Sequence, residues 1–383
     1  MNFPEKLQKK LQTRRKDNAL RSLKETSDLV DFSSNDYLGF ARSNELFEKA
    51  HQFLMENQIN TNGATGSRLL SGNHKLFSTT EKEISTYHRA EAALLFNSGY
   101  NTNVGFFAAV PQRGDVVLYD ELIHASIRDG IQLSNAKAYK FKHNNVENLK
   151  ELILKHKKEV TNEVEIYVVT ESVFSMDGDI PDVLKMVEVC SALKARLIID
   201  EAHALGVIGK NGMGIVQNLE IEEKVFARII TFGKALGCHG AVVLGANELK
   251  EYLINYARSF IYTTALPPHA VATIKIAYQE LASEKGKEQI KDLQEKITYF
   301  VSETQRLQLN FIPSKTAIHC CIIGGNTKTK QIAKAIQKIG FDIKPILSPT
   351  VAIHKERLRF CLHNYNTKKE ITEVLENLVT FVS

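Results

Sequence analysis

EIYVVTESVFSMDGDIPDVLKMVEVCSALKARLIIDEAH, residues 165–203, carries two apolar runs of strand length, EIYVVT (165–170) and RLIID (196–200), on either side of a helical pattern. Both runs are continuous rather than alternating, which suits strands covered on both faces. The same character recurs outward along the chain in AALLF (92–96), DVVLYD (115–120), RIITFG (228–233) and AVVLG (241–245). Helical patterns intervene from about residue 75 to 265. Alternation over that length predicts an α/β fold built on an open, mostly parallel sheet.

Beyond ALPPHA (265–270) long helical patterns begin, and 318–383 reads as a smaller α/β unit with strands in AIHCCII, FDIKPI and RLRFCL. Its last helix opens with a capping box, Thr367 to Glu370, followed by Ile371, Val374, Leu375, Leu378, Val379 and Val382. Residues 3–24 place Phe3, Leu7, Leu11, Leu20 and Leu23 on one helical face among Lys and Arg, and predict an amphipathic helix packed on the body. The expected division is a helical arm and lead-in at 1–45, a large α/β domain at 46–270 and a small C-terminal α/β domain at 271–383.

The 383 residues are 43% hydrophobic and 24% charged, which excludes disorder, collagen and coiled coil. With 49 basic and 44 acidic residues the net charge is +5, too balanced to argue for nucleic acid. No apolar run approaches the ~20 residues of a membrane helix, and the basic start has no apolar stretch behind it to make a secretory signal. Five cysteines, Cys190, Cys238, Cys320, Cys321 and Cys361, lack C-x-x-C spacing. No metal site is expected, and a reducing cytoplasm fits.

Ligands of open parallel sheets sit beyond the carboxyl ends of the strands. Three polar ends stand out: Asp200-Glu201-Ala202-His203, Thr231-Phe232-Gly233-Lys234, and Glu171 to Ser175. The letters D-E-A-H invite a helicase reading, but no G-x-x-x-x-G-K-[ST] loop accompanies them, so it fails. An acid and a lysine at strand ends suit a different ligand. Pyridoxal phosphate takes a lysine for its Schiff base and a carboxylate to keep its ring nitrogen protonated. Asn97-Ser98-Gly99-Tyr100, a Gly-containing turn opening a helix, and Thr231 supply phosphate donors. Singly, a strand-end Asp is more often a helix cap and a strand-end Lys a solvated charge.

Nine segments together carry a resemblance: FSSNDYLGF, GSRLLSGNHKLF, FNSGYNTN, LIHASIRDG, TESVFSMDGDIPD, IIDEAHALGVIGKNGMG, TFGKALGCHGAVV, FIYTTALPP and RLRF. With them, almost the whole chain resembles the α-oxoamine synthase family of pyridoxal phosphate enzymes, which join an amino acid to an acyl thioester with loss of carbon dioxide. The resemblance implies an aspartate-aminotransferase-like (fold type I) architecture and a homodimer with active sites at the subunit interface. It implies that Lys234 bonds the cofactor and moves the α-proton, that Asp200 pairs with the ring nitrogen, that His203 bonds the ring hydroxyl and that His124 stacks on the ring. Gly99, Tyr100 and Thr231 would hold phosphate or ring, and Ser175 the ring substituents. Thr263 or Thr264 would reach the neighbouring subunit's phosphate. Arg359 would clamp the amino-acid carboxylate, as a bidentate guanidinium can, with Asn35 close by.

Within the family, RRKDNALR (14–21), the stretch Gly63 to Gly72 and Pro349-Thr350-Val351 resemble the branch that condenses L-alanine with a pimeloyl thioester in biotin synthesis. Arg21 and Thr350 would touch the acyl substrate, carried as pimeloyl-CoA or on a carrier protein. Leu347-Ser348 stands where many members of that branch carry a basic residue and a proline. Either Lys344 replaces that basic group at the distal carboxylate or the acyl preference differs. The rival readings are a related synthase using glycine or serine, a non-catalytic subunit and a nucleic-acid protein.

Overall fold

Burial on both faces turns the continuous apolar runs into strands. A computed structural model of the chain describes residues 3–23, 28–159 and 164–382. In it six of the strands are Ala92–Phe96, Val116–Asp120, Ile166–Glu171, Arg196–Asp200, Ala227–Thr231 and Ala241–Gly245. They belong to a seven-stranded sheet in which Ala241–Gly245 runs antiparallel to both neighbours and every other pairing is parallel. The seventh strand is Lys137–Phe141, KAYKF, which pairs only with Val116–Asp120 at the sheet edge. Four of its five residues are exposed. An edge strand keeps its charges in water, and that removed the apolar signal by which the other six were read.

Two apolar clusters cover the sheet. One gathers Phe96, Phe106, Ile127, Val169, Ile229 and Phe260, the other Leu118, Ile153, Val168, Val187, Leu197 and Val216. Successive residues of one strand divide between them: Val168 and Val169 face opposite ways, as the period of two demands.

Among the described residues the chain divides into one compact unit of 35–175 and 180–291, holding the large sheet, and another of 1–34, 176–179 and 292–383. The dividing points therefore differ from the expected 45 and 270. Tyr37, Leu38 and Phe40 are buried in the large unit. The helix Pro268–Ala282 belongs to it too, packing against helices Asn44–Glu56 and Lys75–Tyr87 through a face that buries Val271, Ile274 and Leu281.

The second unit carries the antiparallel sheet Lys344–Ile346, Arg357–Cys361 and Ile318–Ile322, beside the pair Val30–Asp31 and Phe341–Asp342. Its last helix, Lys368–Val382, opens on the expected capping box. The Glu370 backbone N–H donates to Thr367 Oγ1 at 3.1 Å and Glu370 Oε2 accepts from the Thr367 N–H at 2.7 Å.

The N-terminal helix departs from expectation. It spans Glu5–Lys16 only, and it buries none of its residues; Phe3, Leu7 and Leu11 are exposed, and Leu20 and Leu23 lie beyond its end. Asn18, at φ +50°, stops it: the Asn18 N–H donates to Arg15 O at 3.1 Å and the Ala19 N–H to Arg14 O at 2.8 Å. That is a left-handed cap with a short polar residue where glycine is commonest.

Candidate active site

The parallel strands end on one edge of the sheet, and Asp120, Glu171, Asp200 and Thr231 are their last residues. Asp200 is buried and held by two donors. Asn103 Nδ2, from the helix Gly99–Ala109, donates to Asp200 Oδ2 at 3.1 Å, and the Ala202 N–H donates to Asp200 Oδ1 at 2.9 Å. Asn103 Nδ2 also donates to Ser126 Oγ at 3.0 Å, and Ser126 Oγ lies 2.7 Å from His124 Nδ1. His124 precedes the helix Ala125–Leu133, and its Nδ1 accepts the Ser126 N–H at 3.2 Å, so its own ring caps the helix. The backbone N–H of His124 donates to Glu171 Oε1. The chain thus brings together the two expected residues Asp200 and His124 through Asn103 and Ser126, with Glu171 holding the His124 backbone.

Electrostatics tie Lys234 to the same cluster. It sits half-buried in the turn between Ala227–Thr231 and Ala241–Gly245. Burial pushes the pKa of His124 down; the Asp200 carboxylate opposes that shift and the Lys234 ammonium adds to it. His124 as a residue is exposed to solvent.

His203, three residues after Asp200, is buried and pairs its Nδ1 with the Tyr37 hydroxyl at 2.7 Å. That hydroxyl reaches Asn35 Oδ1 at 3.3 Å, so Asn35 lies on the His203 side of the edge. Glu201 does other work: its Oε1 accepts the N–H groups of Ile215 and Val216 at 2.6 and 3.1 Å.

The turn expected to receive the phosphate is Ser98–Gly99. Ser98 Oγ accepts the Asn101 N–H at 3.2 Å and caps the helix Gly99–Ala109. A side chain at position 99 would place its Cβ 3.1 Å from Thr231 Oγ1, so glycine lets this helix start approach the strand end. Free helix N–H groups beside a threonine hydroxyl form a phosphate cradle. Asn97 Nδ2 donates to Thr263 Oγ1 at 3.3 Å and to Thr264 O at 2.6 Å, which fixes both threonines beside that helix start within one chain. Tyr100 donates its hydroxyl to Asp129 Oδ2 at 2.6 Å. Ser175 is half-buried in the turn after Ile166–Glu171. A lysine, a buried acid that accepts two hydrogen bonds, a histidine and a helix start beside a threonine on one sheet edge form a donor set that fits pyridoxal phosphate.

The remaining expected residues belong to the second unit. Arg359 is buried in Arg357–Cys361, opposite Cys320 on one side and Lys344 on the other. Arg21 Nη2 donates to Thr350 Oγ1 at 3.4 Å, joining the two residues expected to meet the acyl group. A cavity of about 770 Å³ includes Arg14, Asp17, Ser348, Pro349 and His354 in its wall, a volume in the range of small-molecule sites. Lys344 is committed elsewhere: its Nζ lies 2.7 and 2.8 Å from the two Asp342 oxygens.

Asn103, Ser126 and Tyr37 were not among the residues singled out from sequence, and Glu171 was noted only as part of a polar strand end, without a role. Each lies inside a quoted segment, but a neutral amide in a helix or a hydroxyl after a histidine gives no signal of which acid it holds.

The aminotransferase class I and II family model matches residues 27–378. The chain is 38% identical over 375 residues to the 8-amino-7-oxononanoate synthase of Emericella nidulans, covering 93% of this chain and 90% of that one. Among solved structures it is similar to the 8-amino-7-oxononanoate synthase of Francisella tularensis, with 28% identity, TM-score 0.76, and coverage of 92% of this chain and 97% of that one. It also shares its fold with serine palmitoyltransferase from S. paucimobilis, at TM-score 0.90 and 23% identity over 100% of this chain and 98% of the other.

Proposed function

The chain belongs to the class I and II aminotransferases and, among them, to the pyridoxal-phosphate-dependent α-oxoamine synthases, and from that premise we propose that it condenses L-alanine with a pimeloyl thioester. The products are 8-amino-7-oxononanoate, carbon dioxide and the free thiol. The alanine α-carbon bonds to the thioester carbonyl carbon, the C–S bond breaks, and the alanine carboxylate leaves as carbon dioxide. The reading rests on the Asp200–Asn103–Ser126–His124 network with Lys234 in its field, combined with 38% identity to an enzyme of that name.

Pyridoxal phosphate, when bound, supplies a sink for the electrons of the deprotonated α-carbon. Lys234 attaches it, then takes the α-proton and later returns one. A lysine serves as a base near neutral pH only if its site disfavours the charged form. Asp200 faces the ring nitrogen, its two oxygens oriented by the Asn103 amide and the Ala202 N–H, and its carboxylate would keep the ring protonated. His203 bonds the ring hydroxyl, with Tyr37 fixing the tautomer. His124 stacks on the ring and polarises the thioester carbonyl. The start of the helix Gly99–Ala109, with Tyr100, and Thr231 take the phosphate. Ser175 touches the ring substituents. The family resemblance assigns Arg359 and Asn35 to the alanine carboxylate, and Arg21 and Thr350 to the acyl chain.

The working form is a homodimer in which Thr263 or Thr264 reaches the partner's cofactor phosphate. Leu70 and Tyr262, 84% and 73% exposed in the single chain, flank those elements and give apolar surface for such an interface. Five unbridged thiols suit the cytoplasm.

The test is to mix the purified holoenzyme with L-alanine, glycine or L-serine and with pimeloyl-CoA, acetyl-CoA or palmitoyl-CoA, and to identify products by mass spectrometry. Alanine with the pimeloyl thioester is expected to give 8-amino-7-oxononanoate. Product formed instead from glycine with acetyl-CoA, or from serine with palmitoyl-CoA, would overturn the substrate assignment.

A further inference from the structure

Glu171 is a buried acid with no part in the roles above. It is 4% exposed and ends the strand Ile166–Glu171 directly opposite Asp200 in the parallel register. Two carboxylates at neighbouring strand ends, both out of water, cannot both carry charge cheaply. The hydrogen bonds say where the charge goes. Asp200 accepts from Asn103 Nδ2 and from the Ala202 N–H. Among the described residues Glu171 accepts one bond, from the His124 backbone N–H on Oε1, which leaves Oε2 to carry a proton. Among those residues the one cation that acts on Glu171 is Lys234, through its charge.

We propose that Glu171 is a neutral, protonated positioning residue: it anchors the backbone of His124 and leaves the single negative charge of the buried pair on Asp200. The charged groups around it agree. Burial and then the Asp200 carboxylate push the Glu171 pKa up to about 8, Asp120 at the end of the adjacent strand adding to the rise. Lys234 from the turn and the His124 N–H pull against it without prevailing. Asp120 itself is paired with His143 Nδ1 at 2.9 Å. The pair thus divides labour: one acid stays ionised for the ring nitrogen, the other stays neutral and fixes the histidine. Above the Glu171 pKa a second charge appears beside Asp200 and the arrangement is lost.

The assignment rests on the proposed cofactor site, in which Asp200 is the ring's acid, and its test uses no acyl substrate. In infrared difference spectra of holoenzyme, wild type minus Glu171→Gln, the carbonyl stretch of a neutral carboxylic acid is expected at about pH 6 and should vanish by about pH 10. A carboxylate signal already present at the lower pH would overturn the proposal, whatever the acyl substrate proves to be. If the Gln protein does not fold, Glu171→Asp replaces it in the subtraction; the acid band should then shift, and its absence from both proteins overturns the idea. Kinetics give a second readout. Glu171→Ala should lower kcat about tenfold by freeing the His124 backbone, with KM for the amino acid little changed, and Glu171→Gln should recover most of that loss near pH 7 while flattening the alkaline decline. A Gln variant as slow as the Ala variant would mean that the charge, not the anchor, is needed.

Discussion

Replacing Asn103 with alanine should weaken cofactor binding and slow turnover together. Asn103 is buried, and its Oδ1 has no partner among the described residues, so its NH2 group does all its hydrogen bonding. One bond goes to the Asp200 carboxylate at 3.1 Å and one to Ser126 Oγ at 3.0 Å. A hydrogen bond to a charged group is worth about 1.5–3 kcal/mol, a neutral one about 0.5–1.5 kcal/mol. Alanine leaves Asp200 with the Ala202 N–H and its strand-end surroundings, and nothing small enough to refill the site except water. If the acid's interaction with the ring nitrogen depends on that donor, the charged bond sets the loss: roughly 10- to 150-fold in the cofactor dissociation constant or in kcat/KM. The assay is absorbance titration of the apoenzyme with pyridoxal phosphate, followed by steady-state kinetics. Ser126→Ala is the control, because it cuts the arm to His124 and spares the donor to Asp200; its effect on cofactor affinity should be no more than a few-fold. An Asn103→Ala protein within about threefold of wild type in both measurements, or a Ser126→Ala protein equally impaired in cofactor binding, would refute the claim that Asn103 acts through Asp200.

Lys234→Ala should remove covalent cofactor attachment and lower turnover by more than about 1,000-fold, measured by absorbance and product formation; substantial remaining activity would exclude Lys234 as the attachment point. Asp200→Asn should keep the cofactor while cutting the rate about 100-fold or more, and an unchanged rate would remove Asp200 from the ring nitrogen. Stability should fall in acid through His319, which burial pushes down to about 3 from an ordinary 6.5. The unfolded chain takes up this proton below about 6.5 and the native one does not, so the contribution is complete above that pH and drains at about 1.4 kcal/mol per unit on the way to 3. Denaturant midpoints at about pH 7 and pH 4.5 read the loss, and His319→Phe, beside Phe300 at 4.6 Å, should flatten it; equal slopes in both proteins would assign the acid lability elsewhere.

Six strands were legible to within a residue or two because burial on both faces leaves no polar position to interrupt the run. The edge strand Lys137–Phe141 was not, since its outward lysines are what an edge requires. Asp17-Asn18 held the signal that stops the first helix, but an asparagine cap is weaker in sequence than a glycine and the apolar spacing of Leu20 and Leu23 outweighed it. The proposed site was legible where a reactive side chain stands at or just past a strand end, as at Asp200 and Lys234. It was not where a residue acts through another. Asn103 and Glu171 owe their importance to the register that sets Ile166–Glu171 beside Arg196–Asp200 and to the helix that lies over the latter.

The distribution of proposed roles between the two units bears on the departure at Leu347-Ser348. The residues assigned to the cofactor, from Gly99 to Thr264, all fall within 35–175 and 180–291, whereas Arg21, Thr350, Arg359 and Leu347 fall in the other unit. Position 347 lies outside the unit that holds Asp200 and its two donors. Lys344 is bound to both oxygens of Asp342, so recruiting it to the distal carboxylate of an acyl chain would mean giving up that pair. Arg21, exposed and joined to Thr350 by a single long bond at 3.4 Å, has the lower cost of rearrangement and is the better candidate for that carboxylate. Arg21→Ala should accordingly raise KM for the pimeloyl thioester about tenfold while leaving KM for L-alanine within about twofold, and the reverse pattern would place Arg21 with the amino acid instead.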